Sequence, residues 1–112
     1  MRCTGPTARR RAARRRAQLA AEATVKLAVR LRDHDRCRVC GRPGQSVHEL
    51  DPKGMGGSKT AVSLENSIVV CGDGTRGCHS LLQTHRLIAR APDGGPPNAE
   101  DGLVFSASRD CE

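Results

Sequence analysis

Cys37-Arg-Val-Cys40 and Cys71-Gly-Asp-Gly-Thr-Arg-Gly-Cys78-His79 are the stretches that decide how this chain folds. Two cysteines separated by two residues let both thiolates reach one tetrahedral ion, the spacing of a zinc turn. The second pair is wider, with Gly72 to Gly77 between its members. Glycine accepts the tight backbone such a detour needs, so all four sulfurs can still meet at one centre. Between the pairs lie His48, Glu49 and Asn66, so the knuckle would enclose a polar constellation.

Composition makes a structural metal valuable. A chain of 112 residues supports one small domain, and Phe105 is its only aromatic residue, so aromatic burial contributes little. Zinc held by four protein ligands adds about 10 to 16 kcal/mol of apparent binding free energy in finger-like peptides, comparable with the whole stability of such a domain. An even count of six cysteines would also suit a disulfide framework. The two-residue spacing and the expected lack of a signal peptide favour metal instead. Cys3 and Cys111 fall outside any ligand spacing and read as free thiols of a reducing compartment. No apolar run approaches the roughly 20 residues of a membrane span.

The formal charge of +7 is unevenly placed. Residues 1 to 32 carry ten Arg or Lys against Glu22 alone, a net of +9; residues 33 to 90 hold eight basic and six acidic side chains, net +2; residues 91 to 112 hold one Arg and five acids, net −4. Arg9, Arg10, Arg11, Arg14, Arg15 and Arg16 form two triplets, the electrostatic footprint of a nucleic-acid binder, since each phosphate contact releases condensed counterions. A solvated basic tail or localisation signal is the other reading. Charges this dense favour disorder until a polyanion screens them, whereas Ala12 to Leu31 favours helix, with Leu19, Ala23, Lys26, Leu27 and Arg30 at helical spacings.

Three regions follow: a basic arm and helix at 1–32, a compact centre at 33–90, and a Gly/Pro-rich loop with a short strand near Leu103 to Phe105 at 91–112. Within the centre, a zinc turn spans Cys37 to Gly41, an extended segment Ser46 to Leu50, and a loop passes Pro52, Gly54, Gly56 and Gly57. Ser67 to Val70 is a second strand. Cys78 to Arg90 reads as a helix with Leu81, Leu82, His85, Ile88 and Ala89 on one face, which makes His85 a packed histidine. His34, in a charged loop, reads as solvated. The fold class is small α+β: a ββα unit with a zinc knuckle at its base and a basic helix before it.

Val47-His-Glu-Leu-Asp-Pro-Lys-Gly-Met-Gly-Gly57, Glu65-Asn-Ser-Ile-Val-Val-Cys71 and Gly77-Cys-His79, with Arg32-Asp33 and Gly41 flanking the first cysteine pair, resemble the motifs of the HNH endonuclease family in its phage-type, four-cysteine form. The resemblance spans about residues 32 to 90. It implies a ββα-metal (His-Me finger) core, a structural zinc on Cys37, Cys40, Cys71 and Cys78, and a separate catalytic divalent ion, magnesium or manganese with nickel or zinc as alternatives, that cleaves double-stranded DNA with little sequence preference. His48 and His79 would ligate that ion, and Asn66 would hold the loop bearing the general base. It further implies a phage terminase as a partner and the cytoplasm of a bacterial host as the compartment.

Glu49 departs from the pattern, since it stands where the family places its general-base histidine. Either Glu49 is the base and His48 a ligand, the assignment we favour, or Glu49 joins the metal shell and His48 acts on water. A regular strand points adjacent side chains to opposite faces, so both schemes require an irregular backbone. Lys53, Lys59 and Arg76 are candidate phosphate contacts. A zinc-stabilised DNA-binding module that has lost its base is the alternative function.

Overall fold

The computed structural model describes residues 6–52 and 62–108. Lys53, Lys59, Cys3, Cys111 and the glycines of the loop after Pro52 lie outside the described residues. Among the described residues the chain is a small α+β fold of two α-helices and two two-stranded antiparallel sheets. Helix α1 runs Pro6–Arg32, strand β1 Ser46–Glu49, a 3-10 turn Leu64–Asn66, strand β2 Ser67–Val70, helix α2 Gly77–Gln83, strand β3 Leu87–Arg90 and strand β4 Val104–Ala107. No helix is long and apolar enough to cross a membrane among the described residues.

Helix α1 begins at Pro6, well before the Ala12 expected from composition, and takes in both arginine triplets. Proline's fixed φ suits the first helical turn, and alanine and arginine are among the best helix formers, so propensity outweighs charge repulsion. Residues 9 to 21 are exposed throughout, whereas Val29 in the last turn is completely buried. A helix of this length spans about 40 Å, which accounts for the elongated 53 × 29 × 27 Å envelope.

Strand β2 is buried at all four positions. Ile68 and Val70 face a core with Cys37, Leu82 and Ala99, while the opposite face of the hairpin is covered from the side of α1. That two-sided cover is why Ser67-Ile-Val-Val70 reads as a continuous β-branched run. β1 pairs with it one residue for one, Ser46 with Val70 through Glu49 with Ser67.

The long helix expected from Cys78 to Arg90 is not formed. α2 stops at Gln83, where the amides of His85 and Arg86 donate to the carbonyls of Leu82 and Leu81 at 3.2 and 2.9 Å and His85 adopts a left-handed φ of 60°. Leu87 to Arg90 then pairs with Val104–Ala107, Leu87 opposite Ala107 and Arg90 opposite Val104. Leu87 and Ala89 pack on the core two residues apart, a strand period. His85 is therefore exposed and not part of a packed helix face.

A buried carboxylate fastens these parts together. Asp33, 8% exposed, accepts from Arg32 at 2.8 and 3.1 Å, from Arg38 at 3.0 Å and from the Val69 amide at 3.0 Å. Arg32 also donates to the carbonyls of Leu64 and Ser67, and Arg38 to that of Ala99. Burial raises the Asp33 pKa, but hydrogen bonds from Arg32 and Val69 and the charges of both arginines outweigh it, so the carboxyl sits below its ordinary value.

Candidate metal centre and histidine face

The four cysteines converge. Their sulfurs all lie within 4.8 Å of one another, and Cys40 Sγ is 3.7 Å from Cys71 Sγ. Zn–S bonds of about 2.3 Å in a tetrahedron put the sulfurs about 3.8 Å apart, so the cluster is positioned to hold a metal ion and is compatible with structural zinc. All four are free thiols.

Local backbone explains the convergence. The first pair sits on a turn in which the Cys37 amide donates to Arg42 O at 2.7 Å and the Gly41 amide to Cys37 O at 2.9 Å; the Arg38 amide, donating to Val69 O, anchors it beside β2. The six residues of the second gap fold into a tight loop closed by Asp73 N to Arg76 O at 2.9 Å, with the Asp73 carboxylate accepting from the amide and hydroxyl of Thr75. Gly72 and Gly77 have φ of +79° and +74°, and a Cβ on Gly72 would strike Arg76 O. This loop returns the chain so that the Cys78 amide lies 3.5 Å from Cys71 Sγ. The wide spacing therefore does not keep the four sulfurs apart.

Charge within the cluster is poised for a cation. Burial raises the Cys37 pKa, but the amides of Cys40, Cys71 and Val39 outweigh it and bring it down to about 7. Cys78 is pushed up strongly by burial and by the neighbouring sulfurs. One thiolate is stabilised by the backbone and the next is opposed, an opposition that a bound cation removes as protons leave.

A second polar group forms on the same face of the hairpin, against α2. By strand alternation Ser46 and His48 leave β1 on the face that meets α2. His79, in the first turn of α2, places its ring 5.2 Å from that of His48, edge to face at 72°. His79 Nδ1 lies 2.6 Å from Ser46 Oγ, which donates its only proton to Gly72 O at 2.8 Å. The ring nitrogen must then be the donor, which fixes the Nδ1–H tautomer and leaves the Nε2 lone pair available. Ser46 was not among the residues singled out from sequence; its spacing of two from His48 on one strand was the available signal.

Burial, then the charges of His79 and His85, pull the His48 pKa down to about 4, so its imidazole is neutral near pH 7. Burial also lowers that of His79, against the opposing pull of Asp73 and Glu49. Asn66 is fully buried and clamps the backbone just beyond β1: its Oδ1 accepts from the Asp51 amide at 2.9 Å and its Nδ2 donates to Asp51 O at 2.8 Å.

Glu49 pairs regularly opposite Ser67, with no bulge separating it from His48. It therefore leaves the strand on the face opposite to His48, although its charge still acts on His79 and it borders the same cavity as His48. Arg9, Arg10, Arg11, Arg14, Arg15 and Arg16 stand exposed on the projecting half of α1, far along the chain from the histidines; Arg76, 79% exposed, sits on the loop just before α2. No family model matches the chain, and neither a curated protein nor a solved structure matches it.

Proposed function

We propose that this protein is a divalent-metal-dependent DNA endonuclease of the HNH type, with β1, β2 and α2 as its ββα-metal core and the four cysteines holding a structural zinc. One observation carries this: two histidines from different elements meet at 5.2 Å beside an asparagine that clamps the intervening loop. Two imidazoles sharing one ion at about 2.1 Å per metal–nitrogen bond stand with ring centres about 5 Å apart, so His48 and His79 fit a common divalent cation. When bound, such an ion stabilises the charge that develops on the attacked phosphate and on the leaving oxygen.

The protein's own groups supply the rest. Ser46 orients His79, and Asn66 holds Asp51 so that the end of β1 keeps its place. Glu49, the last residue of β1, accepts the proton of the attacking water as its side chain turns past the end of the pairing. The exposed arginines of α1 and Arg76 meet phosphates without reading bases. The regular register of Glu49, which aims it away from His48, favours a second reading: a zinc-held module that binds DNA and does not cut it.

Conversion of supercoiled plasmid to nicked and linear forms, with magnesium or manganese, separates the two. Cleavage by the wild type that disappears in His79→Ala and in Glu49→Gln supports the endonuclease with Glu49 as base. Loss in His79→Ala alone moves the base to His48, and equal inactivity of all three leaves the binding module.

A further inference from the structure

His85 occupies an unusual place. It is the residue on which α2 terminates, at φ 60°, a left-handed position that glycine or asparagine fills with less strain. The chain nevertheless carries an imidazole there, exposed to solvent. Backbone strain held at one position is a reason to look for what the side chain does.

His85 shares a cavity with His48, one of the two histidines of the proposed site. His85 lines a cavity of about 170 Å³ together with His48, Glu49 and Gln83, over a floor that includes Leu50 and Leu82. Of the three imidazoles, His48 and His85 border one opening and His79 stands against His48. Two of them suffice for the cation of the proposed site. The third, an N–H donor on an exposed helix end, suits an anionic oxygen.

We propose that His85 is a further substrate-contacting residue, donating to a phosphate oxygen of the DNA strand beside the scissile bond. This rests on the endonuclease reading. A contact to a flanking phosphate is made equally before and during reaction, so its loss raises KM and leaves kcat nearly unchanged.

The test uses two variants that both tolerate the left-handed backbone. His85→Gly removes the donor, and His85→Asn keeps an amide N–H at a shorter reach. Three measurements are made on the full chain: thermal unfolding, steady-state oligonucleotide cleavage and manganese binding by calorimetry. The expected pattern is an unfolding temperature equal to or above that of wild type in both, KM for DNA raised about tenfold in His85→Gly, substantial recovery in His85→Asn, and unchanged manganese affinity. An unaltered KM in His85→Gly, with wild type active, overturns the proposal and leaves His85 a helix terminator. Weakened manganese binding overturns it in favour of a third metal ligand. An inactive wild type removes the endonuclease reading itself and the proposal with it.

Discussion

The cysteine cluster and the histidine face share helix α2 and differ in completeness. Cys71 and Cys78 flank the loop into α2, and His79 follows Cys78 directly, yet the sulfurs form a closed set of four while the rings of His48 and His79 offer only two nitrogens beside an open cavity. Four protein ligands saturate a tetrahedral ion, whereas fewer leave positions for water and substrate. The backbone is invested accordingly: amides point at Cys37, glycines at 72 and 77 permit the return of the chain, and the histidine face receives one orienting hydroxyl, Ser46. Proximity in sequence has not produced one site but two of different character.

The largest effect follows from breaking the closed set. Cys37→Ser, or removal of metal with a strong chelator, should unfold the chain at room temperature, because about 10 kcal/mol or more of apparent binding energy then has no substitute in a core with a single aromatic. His79→Ala should leave the fold intact. Circular dichroism and thermal unfolding of the two variants side by side would break the comparison if both unfolded or neither did.

Next is the buried carboxylate that fixes the frame for both sites. Asp33→Asn leaves Arg32 and Arg38 without their counter-charge and should cost about 3 kcal/mol in urea unfolding at pH 7. The Asp33 pKa is lower folded than unfolded, so the unfolded chain binds the extra proton as pH falls below about 3.8. The stabilisation is thus fully present above that value and is lost through the acid range beneath it. The gap between wild type and Asp33→Asn should close there, and a gap independent of pH would mean that the substitution disturbs packing and not charge.

Asn66→Ala comes third. It removes both side-chain hydrogen bonds to the Asp51 backbone, for an expected loss of about 2 kcal/mol, and it should slow plasmid cleavage more than it weakens the fold, since Asp51 lies two residues past Glu49. A fall in stability with full cleavage would place Asn66 with the frame and not with the histidine face.

Much of this was legible in the residues because the forces are local. The two-residue cysteine gap, the β-branched run into Cys71 and the basic first 32 residues each act within a few positions. What was not legible depended on distant partners. Leu81, Leu82, Ile88 and Ala89 satisfy a helical period, but Leu87 and Ala89 also satisfy a strand period, and the deciding partner, Val104–Ala107, lies beyond a Gly/Pro-rich loop. The same holds for Asp33, whose partners Arg38 and Val69 come from two other segments, with Ala99 tied in through Arg38; only the Arg32-Asp33 pair next to the knuckle hinted at it.

The smallest effect bears on Glu49. Ser67, directly opposite it on the side of the hairpin away from the histidines, is fully buried and its hydroxyl has no hydrogen-bond partner among the described residues. An unpartnered buried hydroxyl costs free energy that alanine would not, so Ser67→Ala should raise stability by about 1 kcal/mol. On the proposed endonuclease reading, cleavage is unchanged if that face of the hairpin is structural only, which leaves Glu49 to reach the site by turning past the strand end towards His79. If cleavage falls while stability rises, the hydroxyl serves Glu49 during reaction, and the open site extends around the edge of β1 to both of its faces.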